Sequence, residues 1–384
     1  MPLDLALLMR APSLRLVSLA ALFGGLLAGC GGGGGDPAAA SSVTGEAAPA
    51  LVASPAPTDG APAAGYVGGS CAVPAAAQAV VTSTPDHVVG TGSAASCTSD
   101  AVVAAVAAGG ITTFNCGPDP VTITMTKTAK VFNDKPDVVL DGGGKVTLSG
   151  GGTLRILYQN TCDPAQVWTS SRCDIQDTPQ TTVQNLTFVD GDSTAQNYGQ
   201  GEVYGGGAIY VRGGRMKIVG SRFFRNRCEA NGADLGGAAV RAFGPSAAAP
   251  VYVVGSTFGG AAGYGGSCSN GGALSGLGAS FAVINSLMTN NQATGSGGGG
   301  GGAIYMDGNT TDLSICGSSI HDNTASEGGG AIFDVSNDLT GTMAIVDSVL
   351  QSNVSGKFET AGLPGIYLLA APGQPAVTRS TISK

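Results

Sequence analysis

The sequence predicts an all-β chain, a right-handed parallel β-helix with a short N-terminal cap, and three observations lead there. The first is composition: 64 glycines in 384 residues, with 11% charged and 43% hydrophobic residues, describe many short strands and tight turns rather than long helices. The second is a glycine turn, Gly-Gly-Ala, beginning at Gly206, Gly236, Gly271, Gly301 and Gly329, with intervals of 30, 35, 30 and 28 residues. The third is a strand motif of β-branched residues, a polar or Gly residue, usually Ser, a variable residue and a large apolar one. It recurs in seven copies, at Val183 to Phe188, Ile218 to Phe223, Val253 to Phe258, Val283 to Met288, Ile315 to Ile320, Ile345 to Leu350 and Val377 to Ile382. A period of this length, holding short strands between turns, suits one coil of a solenoid whose equivalent strands pair in parallel.

Residues 1–29 read as an export signal. Arg10 and Arg15 precede an apolar run from Leu16 to Leu27 that is too short to span a bilayer, and Ala28, Gly29 and Cys30 follow. The string Leu27-Ala28-Gly29-Cys30 resembles the lipobox of bacterial lipoproteins. That resemblance implies cleavage before Cys30 and acylation of its thiol. With Gly31 rather than Asp in the next position, it also implies passage to the outer membrane or cell surface. Residues 30–70 are mainly Gly, Ala, Pro and Ser and read as a flexible tether, because so few large apolar side chains cannot offset chain entropy. The net charge of −8 argues against a nucleic-acid partner, since phosphate binding needs clustered cations.

Residues 71–130 form the expected cap region and residues 131–384 the β-helix. Removing Cys30 from nine cysteines leaves eight in an exported chain, which favours disulfides over metal sites. Three pairs are expected: Cys97 with Cys116, Cys162 with Cys173, and Cys228 with Cys268, the last because both precede a glycine turn in successive repeats. Cys71 and Cys316, expected on distant coils, stay unassigned, and Cys316 falls in a column of Val and Ile where a buried thiol fits. Stacking the repeats puts Phe188, Phe223, Phe258, Met288, Ile320, Leu350 and Ile382 inward as a core column. It puts Asn226, Asn291, Asn323 and Asn353 at a turn, as a ladder.

The glycine turns alternating with Phe-x-x-Asn, as in Phe223 to Asn226, resemble the repeats of chlamydial polymorphic outer-membrane proteins and of bacterial β-helix repeat proteins with a pectate-lyase-like fold. The resemblance runs from Cys97, through Val138 to Gly150, to residue 384. It implies the fold and leaves activity open, because this fold carries lyases, hydrolases, epimerases, adhesins and structural proteins alike. Lyase-like chemistry would need clustered Asp residues holding calcium and an Arg or Lys base, and hydrolase-like chemistry several Asp residues with a nearby His. No Arg-x-Pro-x-x-Arg, Asn-Thr-Asp, Asp-Asp, His-Gly or Arg-Ile-Lys string occurs. No catalytic residue is assigned, and whether the chain is an enzyme stays open.

Three groups of side chains are candidates for binding. After the glycine turns comes a column of Tyr210, Val240, Ser275, Tyr305, Phe333 and Tyr367, facing outward if Ile209, Ala239, Leu274, Ile304, Ile332 and Ile366 face in. Tyr305, Phe333 and Tyr367, with Asp307 and Asp334 nearby, either form a sugar-stacking platform or stack on one another beneath a loop. A second candidate is His321 with Asp322, in a turn column shared with Asp190, Arg225, Asn290 and Ser352, unless these residues only bond their own backbone. The third is a basic cluster of Arg212, Arg215, Lys217, Arg222, Arg225 and Arg227, either a solvated face or a site for an acidic glycan or lipid headgroup. Calcium is conceivable at Asp190, Asp192 and Glu202, but no known loop spacing supports it and no metal or other cofactor is assigned. The expected function is a lipid-anchored envelope protein that engages an extended glycan or a surface protein along one solenoid face. The alternatives are a polysaccharide lyase or hydrolase acting on acidic polysaccharide, and an adhesin-like structural module.

Overall fold

Strands form wherever the sequence places β-branched runs between turn residues, and they pair from coil to coil in parallel. The computed structural model describes residues 60–195, 204–244 and 249–384; the expected export signal, Cys30 and Glu202 lie outside the described residues. Strands make up 40% of the structure and helix 6%, in a parallel β-solenoid of about 8 turns. One coil illustrates the plan: Phe281–Ile284 and Leu287–Thr289 belong to a 17-stranded sheet, Gln292–Ala293 to a 4-stranded sheet and Ile304–Gly308 to an 8-stranded sheet. Among the described residues no helix is long and apolar enough to cross a membrane.

The core column stands as the repeats place it. Phe188, Phe223, Phe258, Met288, Ile320, Leu350 and Ile382 are register partners in successive coils. The three Phe rings lie nearly parallel, with centroids 5.0 and 4.6 Å apart, so each fills the space a neighbour would otherwise leave empty. Between the two strands that each coil gives the large sheet, one residue takes φ between 48 and 58°: Asn185, Gly220, Gly255, Asn285, Gly317, Asp347 or Arg379. This left-handed kink explains why six of these seven positions carry Gly, Asn or Asp.

The serine after the kink has a structural task. The hydroxyl of Ser318 accepts the amide of Ser286 at 3.0 Å, and that of Ser348 accepts the amide of Ser318 at 3.0 Å. Ser256 and Ser380 act likewise on their neighbours. The kink turns these amides away from the sheet, and the hydroxyls satisfy them inside a buried column. The asparagine ladder works in the same way. Asn323 Oδ1 accepts both the backbone and side-chain amides of Asn291, and Asn353 Oδ1 does so for Asn323.

The cap is a helix, Ser99–Ala108, begun by Thr98, whose side chain accepts the Ala101 amide, and ended by Gly109 at φ 80°. Its buried Val102, Ala105 and Val106 join the main core. The disulfide Cys97–Cys116 ties its flanks, with Cα atoms 5.6 Å apart. Strand Gly110–Phe114, inside the expected cap region, already pairs with Asp137–Ser149 as part of the large sheet.

Two expectations about the chain's course are corrected. Cys71 and Cys316 are neither distant nor free: they form a disulfide across 245 residues, with Cα atoms 6.0 Å apart. Residues 60–80 run along the outside of the large sheet as a strap. The Gly65 amide donates to Thr257 Oγ1, the Tyr66 amide to the Asn285 carbonyl, and Asn285 holds both the amide and the carbonyl of Cys71. Ala77 packs on Val219, Val254 and Ile284, and Val80 exchanges two hydrogen bonds with the Gln184 side chain. Composition alone misses this because the strap adds no strand and follows no period. The turn at Gly236 is also one residue out of step: Ala239 aligns with Ala208 and Ala273, so Val240 faces the core and Arg241 takes the outward place.

The other two disulfides join the expected partners. Cys162–Cys173 closes a polar loop with Cα atoms 5.0 Å apart. Cys228–Cys268 links adjacent coils at 4.7 Å, inside the range that disulfide geometry requires.

Candidate functional site

The aromatic column stacks as expected but does not form an open platform. Phe333 lies between Tyr305, 5.2 Å away, and Tyr367, 4.9 Å away, and Phe358 closes edge-on against Phe333 and Tyr367. Tyr305 is only 3% exposed and Phe333 6%, because the segments at Gly232 to Asp234 and Gly297 to Gly299 fold over them. The Tyr305 hydroxyl donates to Asp234 and lies 3.3 Å from Asp307; burial and these carboxylates hold its pKa far above the usual phenol range. The recess left beside it, about 150 Å³, is smaller than ordinary ligand pockets. Asp307 accepts from Asn337 at 2.8 Å.

Asp334 does not share the face of Asp307. Its register partners are Met306 and Leu368, so it points into the solenoid, where it is 1% exposed. Among the described residues neither carboxyl oxygen has a hydrogen-bond partner in acceptable geometry. Burial, opposed by the nearby Thr311 hydroxyl and reinforced by Asp312 and Asp307, pushes its pKa up to about 7.

The second candidate group is not assembled into one site. His321 Nδ1 lies 2.8 Å from Asp322 Oδ2, but Arg225 stands three coils away, about 14 Å at the usual strand spacing. Asp190, Arg225, Asn290, Asp322 and Ser352 all take φ between 51 and 61°, the mark of turn residues.

The basic cluster is largely neutralised by the preceding coil. Arg212 pairs with Asp174, Arg215 with Asp177, Arg225 with Asp190 and Arg227 with Asp192, at 2.6 to 3.1 Å. Asp190 and Asp192 are thereby committed to arginines. Arg222, expected at the surface, is 8% exposed, with Nε donating to Thr187 Oγ1 and its guanidinium over the Phe224 ring. Two clusters of cysteine and aspartate, at Cys71, Cys316 and Asp347 and at Cys162, Cys173 and Asp174, have their sulfurs joined in disulfides.

Lys217 is different. It sits on the outer face of the large sheet in a register column running Ile111, Val139, Thr182, Lys217 and Tyr252, about 19 Å long over four coil spacings. Beside it runs a second column, Asp137, Gln180 and Arg215. Ala76 and Val80 of the strap wall one side and Ala249 with Pro250 the other, enclosing a groove of about 510 Å³. Lys217 Nζ donates to the Gln78 carbonyl at 2.7 Å, and no carboxylate among the described residues pairs with it. Burial alone pulls its pKa below the usual lysine value. Arg215 Nε is buried there without a partner among the described residues.

Comparison with family models, with curated proteins and with solved structures gives no match. Function is therefore read from the side chains themselves. Lys217 and Arg215 were visible in the sequence as part of a basic cluster, but Thr182, Gln180 and Tyr252 were missed. The available signal was alternation: each of Thr182, Lys217 and Tyr252 immediately precedes an inward residue of the strand motif, Val183, Ile218 or Val253.

Proposed function

We propose that this chain is a cell-envelope β-helix lipoprotein whose solenoid binds an extended acidic glycan in the groove over Lys217. The observation that carries the reading is a half-buried ammonium, without a carboxylate partner among the described residues, on the floor of a long, strap-walled groove. A desolvated cation gains from any anionic group that enters, and the sheet's coil spacing suits a linear chain laid along the solenoid. Thr182, Gln180 and Asp137 supply hydroxyl, amide and carboxylate partners for sugar hydroxyls, and Tyr252 an aromatic wall. The lipobox-like string ending at Cys30 supports an envelope address, with the lipid anchor as the membrane partner.

The same lysine favours a second reading, a polysaccharide lyase. An amine whose pKa is lowered by burial suits a general base. It would take the C5 proton of a uronate, the C4–O bond would break, a C4=C5 double bond would form, and the departing oxygen would be protonated.

The test is calorimetric titration with a panel of acidic and neutral polysaccharides, with parallel monitoring of ultraviolet absorbance for unsaturated product. Acidic chains are expected to bind, to lose at least about tenfold affinity with Lys217→Met, and to weaken as pH rises at lower pH than for an ordinary lysine. Product absorbance that Lys217→Met abolishes would move the assignment from binding to catalysis. Binding confined to neutral glycans, or none at all, would overturn the reading in favour of a protein partner or a structural role.

A further inference from the structure

The chain has one tryptophan, and the fold leaves it outside. Trp168 is 42% exposed in the loop closed by Cys162–Cys173, beside exposed Val167, and exposed Ile175 follows two residues after Cys173. The underside of that loop is firmly built. Asp163 accepts the Ala165 amide and the side chains of Gln166 and Tyr158, the Thr169 hydroxyl donates to the Thr161 carbonyl, and Thr161 and Gln166 are fully buried. Asn133 Nδ2 holds the Trp168 carbonyl at 2.7 Å. Val167 takes φ 79°, a left-handed conformation that a β-branched residue rarely enters. A loop anchored this well yet presenting its apolar tip to solvent is shaped for contact rather than for folding.

The loop is linked to the groove on two sides, through its anchor Asn133 and through its C-terminal flank. Asn133 lies three residues before Pro136 of the groove lining, a span of at most about 11 Å. On the other flank Asp177 pairs with Arg215, and the Pro179 carbonyl accepts the Arg215 amide. We infer that Trp168 is a stacking platform at the rim of the Lys217 groove, and that the ligand is a carbohydrate chain long enough to reach from one to the other. This rests on the glycan reading and adds its length and second subsite. The apolar C–H face of a pyranose lies on the indole while its hydroxyls stay hydrated, and an anionic group of the same chain meets Lys217.

Because Trp168 is the sole tryptophan, its fluorescence reports the subsite directly. The probes are size ladders of oligogalacturonate, oligoguluronate and neutral dextran oligomers, titrated into the full-length protein and into Trp168→Ala, Trp168→Phe and Lys217→Met. Short acidic oligomers are expected to bind the parent and Trp168→Ala equally, with no change in emission. Beyond a threshold length the parent gains about threefold to tenfold affinity and its emission shifts; Trp168→Ala gains nothing, and Trp168→Phe recovers part. Equal binding of every length by parent and Trp168→Ala, with Lys217→Met defective, would overturn the rim subsite and leave the groove standing. Lys217→Met binding as the parent does, or no ladder binding at all, would overturn the groove and the subsite together. Emission shifts with anionic phospholipid vesicles but with no glycan would assign the tip to a lipid surface instead.

Discussion

Asp334 offers the sharpest perturbation. Its carboxyl lies inside the solenoid, in register with Met306 and Leu368, with no hydrogen bond of acceptable geometry to either oxygen among the described residues and a pKa pushed up to about 7. In the unfolded chain the same group titrates near 3.9. Below that value both states carry the proton and stability is fully present. Between about pH 4 and pH 7 the folded state keeps a proton that the unfolded state has released. Stability therefore falls as pH rises, by about 1.4 kcal/mol per unit, and levels off above pH 7. The loss accumulated over those three units is about 4 kcal/mol. Asp334→Asn removes the titration while keeping the shape. Urea unfolding of parent and variant, disulfides intact, at pH 4.5, 6 and 8 should give stabilities within about 1 kcal/mol at the lowest pH and a variant more stable by about 4 kcal/mol at the highest. Amide exchange in Ile332–Ser336 should slow with the variant over the same interval. A stability difference that does not change with pH would refute the reasoning, since it would mean that Asp334 titrates alike in both states.

The remaining predictions concern the coil stack and the strap. Phe223→Ala, which empties the middle of the three-ring stack, should lower stability by about 3 to 5 kcal/mol in chemical denaturation. Arg222→Ala should exceed the roughly 0.5 kcal/mol typical of surface changes, because it strips the buried Thr187 hydroxyl of a donor and Phe224 of its cation. Ser318→Ala leaves the Ser286 amide without its acceptor and should cost about 1 to 3 kcal/mol, while Ser318→Thr, which keeps the hydroxyl, should recover part of it. Cys71→Ser opens a loop of 245 residues and should lose stability toward the upper end of the usual 2 to 5 kcal/mol, with limited proteolysis cutting first between residues 60 and 80.

The coil stack was legible because its causes are local and repeated. Phe188, Phe223 and Phe258 announce an inward column through a spacing that only a solenoid satisfies, and Cys228 and Cys268 announce neighbouring coils by standing at matching distances from glycine turns. The strap was not legible, because Gly, Ala, Pro and Ser carry no periodic signal and its contacts with Asn285 and Cys316 lie more than 200 residues away. One inserted alanine, Ala239, shifted the strand register by a residue and hid Arg241 in the outward column. Strand alternation correctly turned Tyr305 and Phe333 out of the core, but it says nothing about loops, and segments around Asp234 and Gly298 cover them. Alternation from Ile332 also points Asp334 inward, yet it was set beside Asp307 on the outward face. A buried carboxylate runs so strongly against ordinary composition that its neighbour Asp307 gave the more natural partner. The groove escaped notice for a related reason: Lys217 was visible, but the strap that makes its surroundings concave was not.

The most direct test of the account sets the groove against the aromatic column in one experiment. Isothermal titration of the tightest-binding acidic oligosaccharide into the parent, Lys217→Met and Tyr367→Ala, each first shown to keep its unfolding midpoint, separates the two faces of the solenoid. Binding that drops at least about tenfold in Lys217→Met, the equivalent of about 1.4 kcal/mol, and is unchanged in Tyr367→Ala is the predicted result. Binding that survives in Lys217→Met and is lost in Tyr367→Ala would contradict it and return the ligand to the Tyr305, Phe333 and Tyr367 stack.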